Sequence, residues 1–197
     1  MKKIVILISL FFGVFLVSCG KSDNSTPKPK TYFRLDVPVP TYQIFDTLDL
    51  PFTFKYPNYG IIEKTEDKFN NKNWFNISYP NYGCKLYVSF INISPKTTLV
   101  NLVNDSYNFT KEHDKFSSGV IERAYSNKEA KVYGYVFEIK GSKVASPYQF
   151  YVTDSVRHFL RGALYFDSKP NNDSLAPIIQ RVTEDLDYMI STFEWKE

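Results

Sequence analysis

The sequence predicts a single α+β domain in which a twisted, mainly antiparallel sheet is covered by two amphipathic helices. Three observations predict it. Aromatic and β-branched runs recur in short lengths between Gly, Pro and Asn clusters, as strands between turns do. Two segments, 98–116 and 173–193, change to the helical period. The last four extended runs are joined by connections too short for parallel crossovers, so they form an antiparallel meander. At 197 residues with 43% hydrophobic content, the chain can fill one core.

The chain opens with "MKKIVILISLFFGVFLVSC", two lysines and an apolar run from Ile4 to Val17 before Ser18 and Cys19. A spanning helix needs about 20 apolar residues, so this run reads as a secretory leader. "LVSC" has the leucine, small residue and cysteine at which bacterial lipoprotein leaders are cleaved, which makes Cys19 the candidate lipidated residue. Each buried methylene of an acyl chain contributes about 0.8 kcal/mol, and several chains together hold durably. "GKSDNSTPKPKT", residues 20–31, has no apolar residue to pack and reads as a flexible tether. The expected division is a leader over 1–18, lipidated Cys19 and tether over 19–31, and one domain over 32–197.

Along the domain, "YFRLDVPVPTYQIFD" and "LPFTFKYP" are short extended pieces whose prolines suit strand ends and edges. "IIEKTEDKFNNKN" is a strand end running into a charged loop, and "WFNISYP" with "KLYVSFINIS" makes a hairpin. From Thr98 the period changes, placing Leu99, Leu102, Val103, Ser106, Phe109, His113 and Phe116 on one helical face, with Thr97 or Thr98 as cap. "GVIERAYS", "KVYGYVFEIK", "PYQFYVT" and "RHFLRGALYF" then form the meander. The final helix carries Leu175, Ile179, Val182, Leu186, Met189 or Ile190 and Phe193 on its apolar face. Asp173 or Ser174 caps it, and Pro177 is placed in its first turn.

"YPNYG" occurs at 56–60 and at 79–83 in otherwise unlike surroundings, so it reads as one kind of turn used twice rather than a repeat. The alternative is an aromatic binding platform including Tyr59 and Tyr82. In "GCKLYVSF", Cys84 shares the apolar face with Leu86, Val88 and Phe90, which predicts a buried thiol.

Chemistry is sparse. The chain has two histidines and two cysteines, and it lacks HExxH, GxSxG, CxxC and phosphate-cradling glycine loops. The reading is a protein that is not an enzyme, with no metal and no cofactor. Without Lys2 and Lys3 it carries 22 basic against 21 acidic residues, which argues against nucleic acid as a partner. The candidate partner-binding patch is "TDSVRHFLRG". Strand alternation puts Arg157 and Arg161 on one face, offering paired cations to a carboxylate-bearing partner such as peptidoglycan or an acidic protein surface, with His158 beside them. The alternative is that both arginines pair with acids on neighbouring strands.

Element order resembles the PsbP-like group of small α/β/α sandwiches. The leader, "PKPKTYFRLDVPVPTY", "WFNISYPNYGCKLYVSF", "KVYGYVFEIKG" and above all "QFYVTDSVRHFLRGALYF" with "DSLAPII" closely resemble the GldD family of gliding motility lipoproteins of the Bacteroidetes. That resemblance covers nearly the whole chain after Cys19 and brings no enzymatic motif. It implies a lipid-anchored component facing the periplasm, in contact with the bilayer and with other gliding and type IX secretion proteins. A small-ligand or glycan-binding module, with peptidoglycan as ligand, is the alternative. The implied phylum also makes Thr47 in "DTL", Ser155 in "DSV" and Ser174 in "DSL" candidate O-glycosylation sites, although Asp beside Ser or Thr is also ordinary turn and cap chemistry.

Overall fold

Alternating burial along Cys84–Asn92 makes this strand (β5) face a core with Cys84, Leu86, Val88 and Phe90. It lies near the middle of a seven-stranded antiparallel sheet. The computed structural model describes residues 39–47, 49–65 and 73–196, all within the unit Arg34–Glu197. The leader, Cys19 and the tether lie outside the described residues, as do 32–38 and the charged loop at 66–72.

Before β5 come β1 (Tyr42–Asp46), β2 (Phe52–Pro57), β3 (Ile61–Lys64) and β4 (Trp74–Tyr79). Helix α1 (Leu99–Asp114) follows, then β6 (Gly119–Asn127), β7 (Val132–Lys140), β8 (Tyr148–Thr153) and β9 (His158–Phe166), and finally α2 (Asn172–Ser191) and β10 (Glu194–Trp195). The large sheet runs β3-β4-β5-β9-β8-β7-β6, so the predicted hairpin (β4 with β5) and the predicted meander both form. Register is fixed by burial: Leu86 pairs with Leu164, and Phe90 with Leu160, so apolar side chains line up on one face.

That face packs on α2 through Val182, Leu186, Met189 and Ile190, which makes the main core. On the opposite face a smaller cluster joins Leu102 of α1 to Phe137, Tyr151 and Phe159. Thr98 caps α1, its Oγ1 accepting from the N–H of Asn101 at 3.3 Å. Such a cap contributes about 1 kcal/mol.

The expected α+β class, antiparallel with two helices, holds, and three details differ from expectation. There are two sheets among the described residues, the second being β1-β2-β10. This small sheet joins the main core through a phenylalanine stack, with Phe45 and Phe54 at 4.7 Å and Phe45 and Phe75 at 5.0 Å. Strand β10 has two residues, too few to show a period, and pairs with Thr53 and Phe52. Second, Thr110 of α1 is buried where Phe109 was expected, and Phe109 stays 41% exposed at the helix margin. Third, Pro177 is the sixth residue of α2, beyond the first turn, where it has no backbone N–H to donate along the helix.

Candidate functional site

Both "YPNYG" copies close with the same bond. The N–H of Gly60 donates to the carbonyl of Pro57 at 2.9 Å, and that of Gly83 to the carbonyl of Pro80 at 3.3 Å. In the second, Gly83 adopts φ 58°, the left-handed region open to glycine. The fold brings the copies together, and the Tyr59 and Tyr82 rings meet edge to face at 5.4 Å.

Their hydroxyl chemistry points inward. The fully buried Asp185 of α2 accepts from Tyr42 at 2.8 Å and also from Tyr59, and it forms an ion pair with Arg181 one turn earlier. Tyr42 is pushed up to about 12 by burial and by its bond to Asp185. Burial and the same carboxylate drive Tyr59 higher still. Tyr79 and Tyr82 are both buried. The tyrosines therefore tie the two turns and β1 to α2 and do not form an exposed platform. The signal in the sequence was one acid, Asp185, inside the apolar stripe of Val182, Leu186 and Met189.

The "TDSVRH" segment is the β8–β9 loop, and Asp154 organises it. Its Oδ1 accepts backbone N–H bonds from Val156, Arg157 and His158 at 2.9, 2.7 and 2.9 Å. Its Oδ2 lies 2.8 Å from Nδ1 of His158. Burial opposes the charge on Asp154, yet the N–H bonds hold its carboxyl below the usual carboxylate range. Thr153 Oγ1 donates to the carbonyl of His158 at 2.6 Å and closes the loop from inside. The His158 ring stacks on Trp195 of β10 at 5.2 Å and 26°.

This loop, the β6–β7 turn and β10 enclose a cleft of about 680 Å³. Arg157 and Lys131 line it, with Glu129 and Glu194 among the facing acids. Lys131 takes a left-handed backbone (φ 53°) at the end of its turn, and so does Ser155 (φ 68°) beside Arg157. Sequence reasoning found Arg157 and His158 and missed Lys131, Glu129, Glu194 and Trp195. These come from another hairpin and from a strand too short to recognise.

The structure separates the predicted arginine pair. Arg157 precedes β9 and lines the cleft. Arg161 lies within β9 under α1, its guanidinium 4.1 Å from the centre of the Phe109 ring. Burial lowers the Arg161 pKa, and Asp105 works against that shift. The alternation was read correctly, but Arg157 belongs to the loop, where strand alternation does not apply.

Ser155 and Ser174 are exposed, whereas the Thr47 hydroxyl is buried without a hydrogen-bond partner. Cys84 is a buried free thiol, pushed up to about 12 by desolvation and by Asp167. Among the described residues no cluster of three His, Cys, Asp or Glu side chains could hold a metal ion, and no helix is long and apolar enough to cross a membrane.

A family model described as "Gliding motility lipoprotein GldD" matches residues 22–195. No curated protein matches the sequence. Among solved structures, the chain is similar to the solution structure of cyanobacterial PsbP (CyanoP) from Synechocystis sp. PCC 6803. The two are 15% identical with a TM-score of 0.48, over 82% of this chain and 96% of that one.

Proposed function

The chain belongs to the gliding motility lipoprotein GldD family, and from that premise we propose that it is a non-catalytic component of the gliding machinery, linked to type IX secretion. It is held on a membrane by acylated Cys19, faces the periplasm and acts through protein–protein contacts. The observation that carries this reading is the family match over 22–195, joined to a leader that ends in "LVSC". The inventory of the described site supports a non-catalytic role. The one thiol among the described residues, Cys84, is buried and raised out of the nucleophilic range, and His158 is packed between Asp154 and Trp195.

Crosslinking in living cells followed by mass spectrometry tests the reading, with Cys19→Ser as control. Gliding or secretion proteins crosslinked to the wild type and lost from the variant are the expected result. A wild-type profile identical to that of the variant would remove the proposal.

A second reading, an envelope module that binds a small ligand, is favoured by the cleft at Trp195. Its volume falls in the range of about 300–1,000 Å³ common for ligand sites, and polar groups from three elements converge on it.

A further inference from the structure

The cleft holds two kinds of charged group. Some are satisfied within the fold: Asp154 by three backbone N–H groups, and Lys196 by Asp46 and the carbonyl of Thr47. Others have no partner among the described residues: the cations Arg157 and Lys131, and the acids Glu129 and Glu194. The unpaired set is balanced in sign and sits around a rigid aromatic, Trp195, which is held by His158, Phe193 and Phe52.

We propose that this cleft binds a short peptide segment carrying both a free carboxylate and a free ammonium. Arg157 and Lys131 receive the carboxylate, Glu129 and Glu194 receive the ammonium, and Trp195 supplies the contact for the aliphatic part between them. A guanidinium presents two parallel donors that match a carboxylate. A purely anionic ligand such as phosphate or a nucleic acid is opposed by the two acids in the same cleft, and a purely cationic one by the two cations. The loop positions are preset. Asp154 fixes the backbone of Arg157, and the turn that carries Lys131 is held by Asn127 Oδ1, which accepts from the N–H groups of Glu129 and Ala130 at 3.1 Å each. Such preorganisation reduces the ordering cost of binding.

The inference rests on the ligand-binding reading of the cleft and is independent of the lipid anchor, so its failure leaves the proposed place of the protein in the envelope standing. The test uses the full-length lipoprotein in detergent with Trp74→Phe, which leaves Trp195 as the one tryptophan. Its fluorescence is followed during titration with the tripeptide Ala-Glu-Lys, with its acetylated and amidated Ala-Gln-Ala counterpart, and with inorganic phosphate, each to about 10 mM, a concentration that detects millimolar affinity. A parallel arm with soluble peptidoglycan stem peptides separates a cell-wall source from a protein source of the same chemistry. The expected result is saturable binding of the charged tripeptide or the stem peptide. That binding should weaken about tenfold or more in Arg157→Gln and in Lys131→Gln, both of which should melt like the parent. No saturable change with any charged peptide, equal affinity for the neutral counterpart or for phosphate, or unchanged affinity in both variants would overturn the proposal.

Discussion

The hydroxyl of Tyr42, at the start of β1, donates to the buried carboxylate of Asp185 at 2.8 Å, joining two residues 143 positions apart. Tyr59 and Arg181 meet the same carboxylate, so the entry strand, the first "YPNYG" turn and α2 share one buried charge. Removing one partner of a buried pair leaves the other uncompensated, at a cost of about 3–5 kcal/mol. Arg181→Met is expected to fall near the lower end of that range in denaturant unfolding, because Arg181 keeps 20% exposure and Asp185 keeps its two phenol donors. The double variant Arg181→Met with Asp185→Leu should lose less than the sum of the two single losses. Strict additivity would show that the groups do not act as a unit.

Tyr59→Phe follows from the same geometry. It removes the bond to Asp185 while leaving the ring against Tyr82. A loss of about 1.5–3 kcal/mol is expected, the range for hydrogen bonds to charged groups. A variant that melts like the wild type would return Tyr59 to the list of surface binding residues.

Alkaline pH should unfold the protein. Tyr42 and Tyr151 are raised from 10.0 to about 12, and Cys84 from 9.0 to about 12, in each case chiefly by burial. In this window the native state keeps protons that the unfolded chain has released. The stability these groups contribute is therefore complete below pH 9.0 and is lost progressively toward about 12. Denaturant midpoints measured from pH 8 to about 12 should fall steadily beyond the ordinary thiol and phenol values, and a flat profile would contradict the burial of these groups.

Two glycines make contrasting predictions. A Cβ on Gly134 would stand 1.9 Å from the carbonyl oxygen of Tyr151, which is backbone in the neighbouring strand and cannot move alone. A Cβ on Gly162 would meet the Phe150 ring at 2.2 Å, a side chain that can repack. Overpacking costs about 1–3 kcal/mol when side chains adjust. Gly162→Ala should therefore fall in that range and Gly134→Ala should exceed it, as read by thermal melting. The reverse order would show that the β7–β8 pairing is looser than described.

Most of the large sheet, both helices, the Thr98 cap and the burial of Cys84 could be read from period, turn residues and alternation, because each is a local property of the chain. What escaped was non-local. Strand β10 is defined by its partner β2 rather than by its two residues. The cleft needs Lys131 and Trp195, which lie 64 positions apart and meet only because two hairpins and the chain's last strand end at the same edge. Asp185 was visible as an acid in an apolar stripe, and its meaning depended on Tyr42 and Tyr59 arriving from the other end of the domain. Arg157 and Arg161 show the converse: correct alternation was extended one residue beyond the strand, and it paired two cations that the loop separates.

The central claim is a lipid-held envelope protein, and metabolic labelling with a radioactive or alkyne-tagged fatty acid tests it most directly. The account predicts label on the full-length wild-type chain, recovered with the membrane pellet, and none on Cys19→Ser. An unlabelled wild-type chain recovered in the soluble fraction would contradict it.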